Sequence, residues 1–385
     1  MRIIVLGGCG AMGSELTRDL AETSDFAEIV IADADLAKAQ KLAAELGNGR
    51  VQAISVDVSD ATTLPAVLRG FDVVANATTY HFGLTVTRAA IEARVNYLDL
   101  GGLFNTPRQL ELNQAALDAG ITICLGCGAT PGVTNLCART AANLLEQIDE
   151  VHIAFASFRS IAPSPGLLDT VLDEFSPDSR RFYWQTGNFI EVAAFSGARL
   201  IQFAPPVGEL EVYYVPHSET HTLPRFLGKG IKLVDVRGSW RPEIMQALRL
   251  FAEYRLTGSE PIKFAGLEIK PKDFLRALIL QQLPYDQGGW AFLLNVEVLG
   301  KREGRSVRCI FNTRHPDETE WGKAATAKMT GIPASIGAQM IARGEVERRG
   351  VLAPEACFTP ATFFHELTRR DIYVDLLTEE IYNFQ

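Results

Sequence analysis

"IIVLGGCGAMGSELTRDL", residues 3–20, decides the fold. An apolar run from Ile3 to Leu6 breaks into Gly8, Gly10 and Gly13, spaced G-x-G-x-x-G, and then into a helical pattern. Each glycine has its own task in a strand–turn–helix unit that holds a dinucleotide. Gly8 is expected to allow the tight turn, Gly10 to let backbone approach a pyrophosphate, and Gly13 to let helix pack close on strand. The pyrophosphate would lie at the start of a helix running from about Ala11 and Met12, where free N–H groups and the helix dipole favour an anion. Such a unit also needs an acid closing the next strand. Asp33 stands there, at the end of "EIVIAD" (28–33). A carboxylate in that place hydrogen-bonds the adenosine ribose 2′-hydroxyl and repels a 2′-phosphate, so NAD is expected in preference to NADP. Asp35 adds negative charge, and no arginine follows at once.

Outward from this stretch, short β-branched runs alternate with helical segments to about residue 128. The candidate strands are "RIIVL" (2–6), "EIVIA" (28–32), "VQAISV" (51–56), "DVVAN" (72–76), "VNYLDL" (95–100) and "ITICL" (121–125). Ala/Leu/Glu-rich stretches such as "DLAKAQKLAAEL" (35–46) and "TVTRAAIEA" (85–93) lie between them. This alternation means βαβ crossovers and a parallel, doubly wound sheet of Rossmann type. From about residue 149 longer runs with partial alternation appear: "VHIAFASF" (151–158), "LEVYYV" (210–215), "IKLVDVRG" (231–238) and "FLLNVEVLGKREGRSVRCIFN" (292–312). The last reads as a hairpin turning at "GKREGR". An inserted mixed α/β domain with a largely antiparallel sheet is expected over 129–321. From 322 to 385 small-residue helical sequence returns the chain to the nucleotide domain of 1–128.

Length and charge bound the function. At 385 residues the chain has room for two or three domains. A net charge of −9 and a pI near 5.3 argue against nucleic acid, which calls for a basic stripe. No apolar run approaches the roughly 18 residues of a membrane span, and the first apolar segment, about five residues long, is too short for a signal peptide. Six cysteines scattered over so long a chain fit a reducing, cytoplasmic setting.

Other strand ends supply further candidates. Asp57 and Val58 close the third strand, where an adenine edge would lie, and Ala77 and Thr78 follow the fourth, leaving room for a nicotinamide ribose. Ligands bind outside the carboxyl ends of such strands, so Tyr80, Asp99 and Gly101 fall near the reacting end. "CLGC" (Cys124, Cys127) has no second pair to complete a structural zinc site, so buried thiols are expected.

Four segments carry a family resemblance: "GGCGAMGSELTRDL", "DVVANATTYHFGLTVTRAAIEARVNYLDLGG", "AALDAGITICLGCGATPGVTNL" and "TAKMTGIPASIGAQMIARGEVERRGVLAP". The sequence resembles the saccharopine dehydrogenase family, and within it the lysine 6-dehydrogenases. The resemblance implies a nucleotide domain interrupted by a substrate and dimerisation domain, a homodimer, and oxidation of an amino-acid amine or reduction of an imine joining two amino acids. It also implies substrate contacts around "VPHSETHTLPRFL" (215–227), with His217, Glu219 and Arg225, and a role for Tyr80. "FASFRSIAPSPG" (155–166) departs from the glycine pair of the relatives.

Chemistry narrows the candidates. Hydride leaves an amine-bearing carbon only if the nitrogen has a lone pair, and a lysine-type amine titrates near ~10.4. The site must therefore desolvate the amine or offer a base. Tyr80 and Asp99 are the candidate proton-handling residues, each open to a packing or capping role instead; His81 reads as structural or exposed. Arg159 or Arg225 could hold a carboxylate in a bidentate fork, with a surface ion pair as the plain alternative. Thr130, Pro131 and Gly132 open a helix whose N–H groups could meet a substrate carboxylate. His217 and His221 have the spacing of a helical zinc pair, but nearby prolines and the lack of a third ligand argue against metal. The expected function is NAD-linked oxidation of the terminal amine of lysine; the alternatives are imine reduction of the saccharopine or carboxynorspermidine type, and a binding protein that keeps NAD(H) without turnover.

Overall fold

The computed structural model describes residues 1–47, 49–161, 164–282 and 288–381. Of the divergent 155–166 segment, Ala162 and Pro163 lie outside the described residues. The chain forms two units: Met1–Gln147 with His217–Lys229 and Thr326–Val374, and Ile148–Pro216 with Gly230–Ala325 and Asp375–Gln385. Sequence texture places the boundaries at 128 and 322. By packing, the helix Val133–Leu144 and the segment His217–Lys229 go with the first unit, and the chain from Asp375 goes with the second.

The first unit is built on six strands in chain order: β1 Arg2–Leu6, β2 Glu28–Asp33, β3 Val51–Ser55, β4 Val73–Asn76, β5 Asn96–Asp99 and β6 Thr122–Cys124. They run in the order β6-β5-β4-β1-β2-β3, and Gly350–Leu352 extends the sheet beside β6. The pairings are parallel throughout. Buried on both faces, the strands are near-continuous apolar runs, as "IIVL" and "IVIA" are. The order reverses between β1 and β4, and that switch point opens a crevice at the strand ends. The expected doubly wound sheet is present.

Helix packing follows residue size. The helix α1, Ala11–Thr23, approaches Gly331 of the helix Ala325–Ala342 so closely that a Cβ there would lie 2.7 Å from the Met12 carbonyl and from the Leu16 nitrogen. A Cβ on Gly337 would collide with the Cys127 sulfur. The small residues of "TGIPASIGAQMI" thus let the helix seat against the nucleotide unit.

The second unit carries a mixed sheet. Gln147–Phe158, labelled β7, pairs in parallel with Leu233–Trp240, while Glu209–Tyr214 and Arg199–Gln202 continue outward antiparallel. Ala291–Arg302 and Arg305–Arg314 form the expected hairpin. Its turn is tighter than "GKREGR" implied: Glu303 and Gly304 alone make it, both with positive φ (52° and 73°), as a two-residue hairpin loop requires. Among the described residues no helix is long and apolar enough to cross a membrane.

Candidate functional site

The crevice begins at the glycine loop. Gly7, not Gly8, takes the left-handed turn (φ 70°), and its N–H donates to the Ala32 carbonyl at 2.8 Å. Gly8 is needed for space: a Cβ there would sit 2.9 Å from the Val5 carbonyl. Gly13 is the tightest, since a Cβ would collide with the Gly7 carbonyl. At Gly10 a Cβ would meet one neighbour, the Gly7 carbonyl at 3.1 Å. Gly10 precedes α1 without a side-chain cap, so the first N–H groups of the helix are left for an anion. Ala11 and Met12, both half-buried, form its first turn. Thr17, which the spacing did not single out, fastens the loop by donating to the carbonyls of Gly8 (3.2 Å) and Gly13 (2.8 Å). The loop thus has the shape that a diphosphate-binding turn requires.

Asp33 ends β2 half-buried, accepting from the N–H groups of Cys9 (3.4 Å) and Asp35 (3.2 Å). It is thereby held against the glycine loop. Burial first, and then Asp33, push the Cys9 thiol up to about 12. Asp35 serves as a helix cap for Leu36–Leu46, accepting from Lys38 N–H at 3.0 Å. β3 stops at Ser55, so Asp57 and Val58 lie in the following turn. There Asp57 is exposed and accepts from the Ser59 hydroxyl (2.6 Å) and N–H (2.9 Å), which hold its carboxyl below the ordinary range.

Across the switch point, a Cβ on Gly7 would touch the Ala77 carbonyl and the Thr78 nitrogen at 2.9 Å, which places both residues beside the loop. From Thr78 a buried relay runs inward. The Thr78 hydroxyl donates to Asn76 Oδ1 (2.6 Å), and Asn76 Nδ2 donates to the Tyr97 hydroxyl (3.1 Å). The Tyr97 hydroxyl donates in turn to Asp99 Oδ2 (2.9 Å). Gln109 Nε2 also donates to Oδ2 (2.8 Å), while Oδ1 accepts from the N–H groups of Gly101 (2.9 Å) and Gly126 (2.7 Å). Burial pushes the pKa of Asp99 up against the pull of these bonds. Four donors saturate the carboxylate, so its work is to clamp the loops after β5 and β6 rather than to take a proton from substrate.

Those loops meet. Gly101 (φ 88°) and Gly126 (φ 76°) each lie against the Pro131 ring, where a Cβ would come within 2.6 and 2.5 Å of Cγ. Half-buried Tyr80 packs on Gly102, and its carbonyl accepts from Asn105 Nδ2. His81 is exposed beside it, the two rings 4.1 Å apart. Thr130 and Thr134 both donate to Glu219 Oε1, at 2.6 and 2.9 Å, and His217 Nδ1 lies 3.2 Å from Oε2. Glu219 is fully buried. Burial pushes its pKa up, but the charge and hydrogen bond of His217, with the bond from Thr130, prevail and hold the carboxyl below its ordinary value. Gly132 N–H donates to Asn135 Oδ1 (2.8 Å), and Asn135 Nδ2 donates to Glu355 Oε2 (2.8 Å), so Glu355 braces the same loop from behind.

Two family descriptions match this chain: the saccharopine dehydrogenase NADP binding domain over residues 3–124, and the saccharopine dehydrogenase C-terminal domain over residues 128–372. The chain belongs to the saccharopine dehydrogenase family. Its first unit includes an NAD(P)-binding domain, and the chain is an NAD(P)-dependent dehydrogenase of that family. A carboxyaminopropylagmatine dehydrogenase of Synechocystis sp. is 24% identical over 377 residues, 92% of each chain. A carboxynorspermidine synthase of Vibrio cholerae is 25% identical over 388 residues, 90% of each. Among solved structures, apo saccharopine dehydrogenase (L-Glu forming) from Saccharomyces cerevisiae superposes with a TM-score of 0.74 at 18% identity, covering 98% of this chain and 99% of that one. Homospermidine synthase from Legionella pneumophila in complex with NAD gives 0.65 at 13%, covering 99% and 91%. Both structures share the fold.

Within this saccharopine dehydrogenase fold, the first unit gathers the glycine loop, Asp33, Ala77, Thr78, Tyr80, Asp99, Gly101, Thr130, Pro131, Gly132, His217 and Glu219 along one rim of strand ends. Arg225 is exposed, with its guanidinium over the Phe226 ring. Arg159 belongs to the second unit. His217 precedes the helix Glu219–Phe226, so it and His221 do not form a helical ligand pair; burial lowers the His221 pKa to about 4 and keeps it neutral. Cys124 and Cys127 are buried free thiols, and burial raises the Cys124 pKa well above its ordinary value. Sequence spacing missed Thr17, Asn135 and Glu355. Asn135 was in view as the last residue of "ATPGVTN", the one local signal available.

Proposed function

We propose that this protein uses NAD to make or break the C–N bond of a secondary amine that joins an amine to a carboxylate-bearing chain. The observation that carries the reading is the buried Glu219 bridging Thr130, Thr134 and His217 on the rim of a dinucleotide crevice. The Synechocystis and Vibrio cholerae relatives, aligned over nine-tenths of their length, are named for carboxylated polyamines, which supports a substrate of this class. Nicotinamide, when bound, would take hydride from the carbon attached to nitrogen, and water would then cleave the resulting imine into an amine and a carbonyl compound; the reverse sequence, with loss of water, makes the bond. The residues of the chain handle the proton and the orientation. With Nδ1 turned to an ionised Glu219, His217 is fixed in one tautomer, and Nε2 is the ring nitrogen that exchanges a proton with the substrate amine. Thr130 and Thr134 keep the carboxylate in place, and Asp99 holds the glycines on which that loop rests.

NAD rather than NADP is proposed from Asp33, since a half-buried carboxylate that closes β2 against the glycine loop would bond a ribose 2′-hydroxyl and repel a 2′-phosphate. Oxidation of lysine at its terminal amine uses the same residues and is the second reading, supported by the sequence likeness alone. A homodimer is the expected assembly, and sedimentation of the purified protein tests it. Activity is tested by following absorbance of reduced cofactor with NAD or NADP and, in separate reactions, carboxynorspermidine, saccharopine and L-lysine. Turnover of a secondary amine is expected. Turnover of lysine alone would replace this reading with the second, and tight NADH binding without turnover of any would leave a binding protein.

A further inference from the structure

In the first unit, the loop after β5 turns one large ring outward on a strained backbone. Leu103 is buried, whereas Phe104 beside it has a left-handed conformation, φ 63°, and is 42% exposed. That backbone region suits glycine or asparagine, and a bulky side chain in it is a true outlier. An exposed ring alone needs no explanation. A strained one does when packing does not require it, because such strain gathers at ligand clamps and active sites. Phe195 shows the contrast: it too has positive φ, 56°, but its ring stacks on Phe175 at 5.0 Å. Among the described residues no ring or guanidinium stacks on Phe104, and it stays outside the apolar cluster that Phe82 and Leu110 join.

The chain is fastened on both sides of this residue. Before it, Gly102 lies so close to Tyr80 that a Cβ would come within 2.8 Å of the tyrosine Cβ. After it, Asn105 Nδ2 donates to the Tyr80 carbonyl, and the Thr106 hydroxyl donates to the Ser218 hydroxyl at 2.9 Å. Ser218 stands between His217 and Glu219 in the chain. The loop therefore bridges the turn of Tyr80 and His81 to the segment that handles the proton, and Phe104 is the one exposed residue of 101–106. Charge gives a second, independent indication. The rim segments 74–87, 95–107, 122–138 and 215–224 contain no lysine or arginine, while Glu219 is held ionised. An anion would find no fixed cationic side chain in these segments, and a cation would meet no repulsion from one.

We propose that Phe104 presents its ring face to an aliphatic ammonium, the protonated end of the amine substrate that does not react, and so selects chains carrying a second cation. The negative face of an aromatic ring attracts an ammonium electrostatically, and the methylene stem of an aliphatic amine covers the rest of the ring. The strained backbone turns that face outward, where a ligand can reach it. That the ammonium belongs to the substrate rests on the function proposed above; that Phe104 binds an ammonium does not.

The test separates the two. Calorimetry on the protein saturated with NADH measures binding of the diamine cadaverine and of pentanediol, its uncharged counterpart, at matched ionic strength. The variants are Phe104→Gly, which relieves the backbone, Phe104→Leu, which keeps apolar bulk without a ring face, and Phe104→Tyr, which restores the face. The parent and Phe104→Tyr should bind cadaverine more tightly than pentanediol, and the Gly and Leu variants should lose about fivefold or more in cadaverine affinity. NADH affinity should hold throughout, and Phe104→Gly should melt no lower than the parent. Equal cadaverine affinity in parent, Gly and Leu variants, or equal affinity of the parent for cadaverine and pentanediol, would overturn the ammonium contact. So would NADH affinity falling in step with that for cadaverine, which would assign the ring to the cofactor, or a lower melting temperature in Phe104→Gly, which would assign it to packing. With a substrate that is turned over, Phe104→Leu should raise KM about fivefold and leave kcat within about twofold. A KM unmoved in a variant that has lost cadaverine would sever the contact from the reaction. Loss of cadaverine with no amine turned over would uphold the contact and refute the reaction proposed above.

Discussion

Replacing Glu355 with Gln should change how stability depends on pH, and the size of the change follows from the burial of that residue. Glu355 is 2% exposed, and its Oε2 accepts from Asn135 while Oε1 has no hydrogen-bond partner. Burial raises its pKa from the ordinary 4.5 to about 7, against the opposing pull of its backbone, Thr222, Asn135 and Arg139. A carboxyl whose pKa is raised on folding binds its proton more tightly in the native state. The stability this confers is complete below pH 4.5, and it is lost as pH climbs through 7. At about 1.4 kcal/mol per pH unit, the group removes roughly 2–3 kcal/mol of stability between pH 5 and pH 8. Glutamine mimics the protonated acid and has no such dependence. In urea titrations at both pH values, the stability of Glu355→Gln relative to the parent should therefore rise by roughly 2–3 kcal/mol from pH 5 to pH 8. Other titrating groups cancel in the difference where they are distant from the site. A difference that stays flat, or falls with pH, would refute the claim that a neutral Glu355 braces the Asn135 loop.

Further outcomes follow from the crevice. Gly13→Ala forces a Cβ onto the Gly7 carbonyl, so α1 must shift; NADH titrated by fluorescence should bind at least about tenfold more weakly, a cost near ~1–3 kcal/mol. Asp99→Asn turns one acceptor oxygen into a donor facing donors; urea unfolding should show a loss of about 2 kcal/mol or more. Glu219→Gln removes the charge that fixes His217, and kcat should fall about 100-fold while NADH affinity holds, as read by steady-state rates and fluorescence. Asp33→Ala should cut the preference for NAD over NADP by about tenfold or more, measured as the ratio of kcat/KM values.

Much of the nucleotide unit is written locally. The run Ile3–Leu6, the spacing of Gly8, Gly10 and Gly13 and the acid at Asp33 sit within one βαβ segment, and apolar periodicity reports burial directly there. Which glycine turns is less legible: spacing pointed to Gly8, whereas the positive φ belongs to Gly7. The clefts between helices are legible only as composition, since the small residues around Gly331 and Gly337 show their purpose once α1 and Cys127 are found against them. Asp99 stood out as an acid at a strand end, which is equally the mark of a proton acceptor and of a clamp. Counting its donors distinguishes them, and those donors come from Tyr97, Gln109, Gly101 and Gly126.

By itself the sequence determined the parallel sheet, the dinucleotide loop and the family, because each depends on residues close together in the chain. Tertiary structure alone decided the pairing of Glu219 with Thr130 and Thr134, 89 and 85 positions away, and of Glu355 with Asn135, 220 positions away. It alone brought His217–Lys229 to the nucleotide unit. Burial of charge explains the difference. A carboxylate's state depends on the donors and water around it, and those neighbours exist only after distant segments have packed.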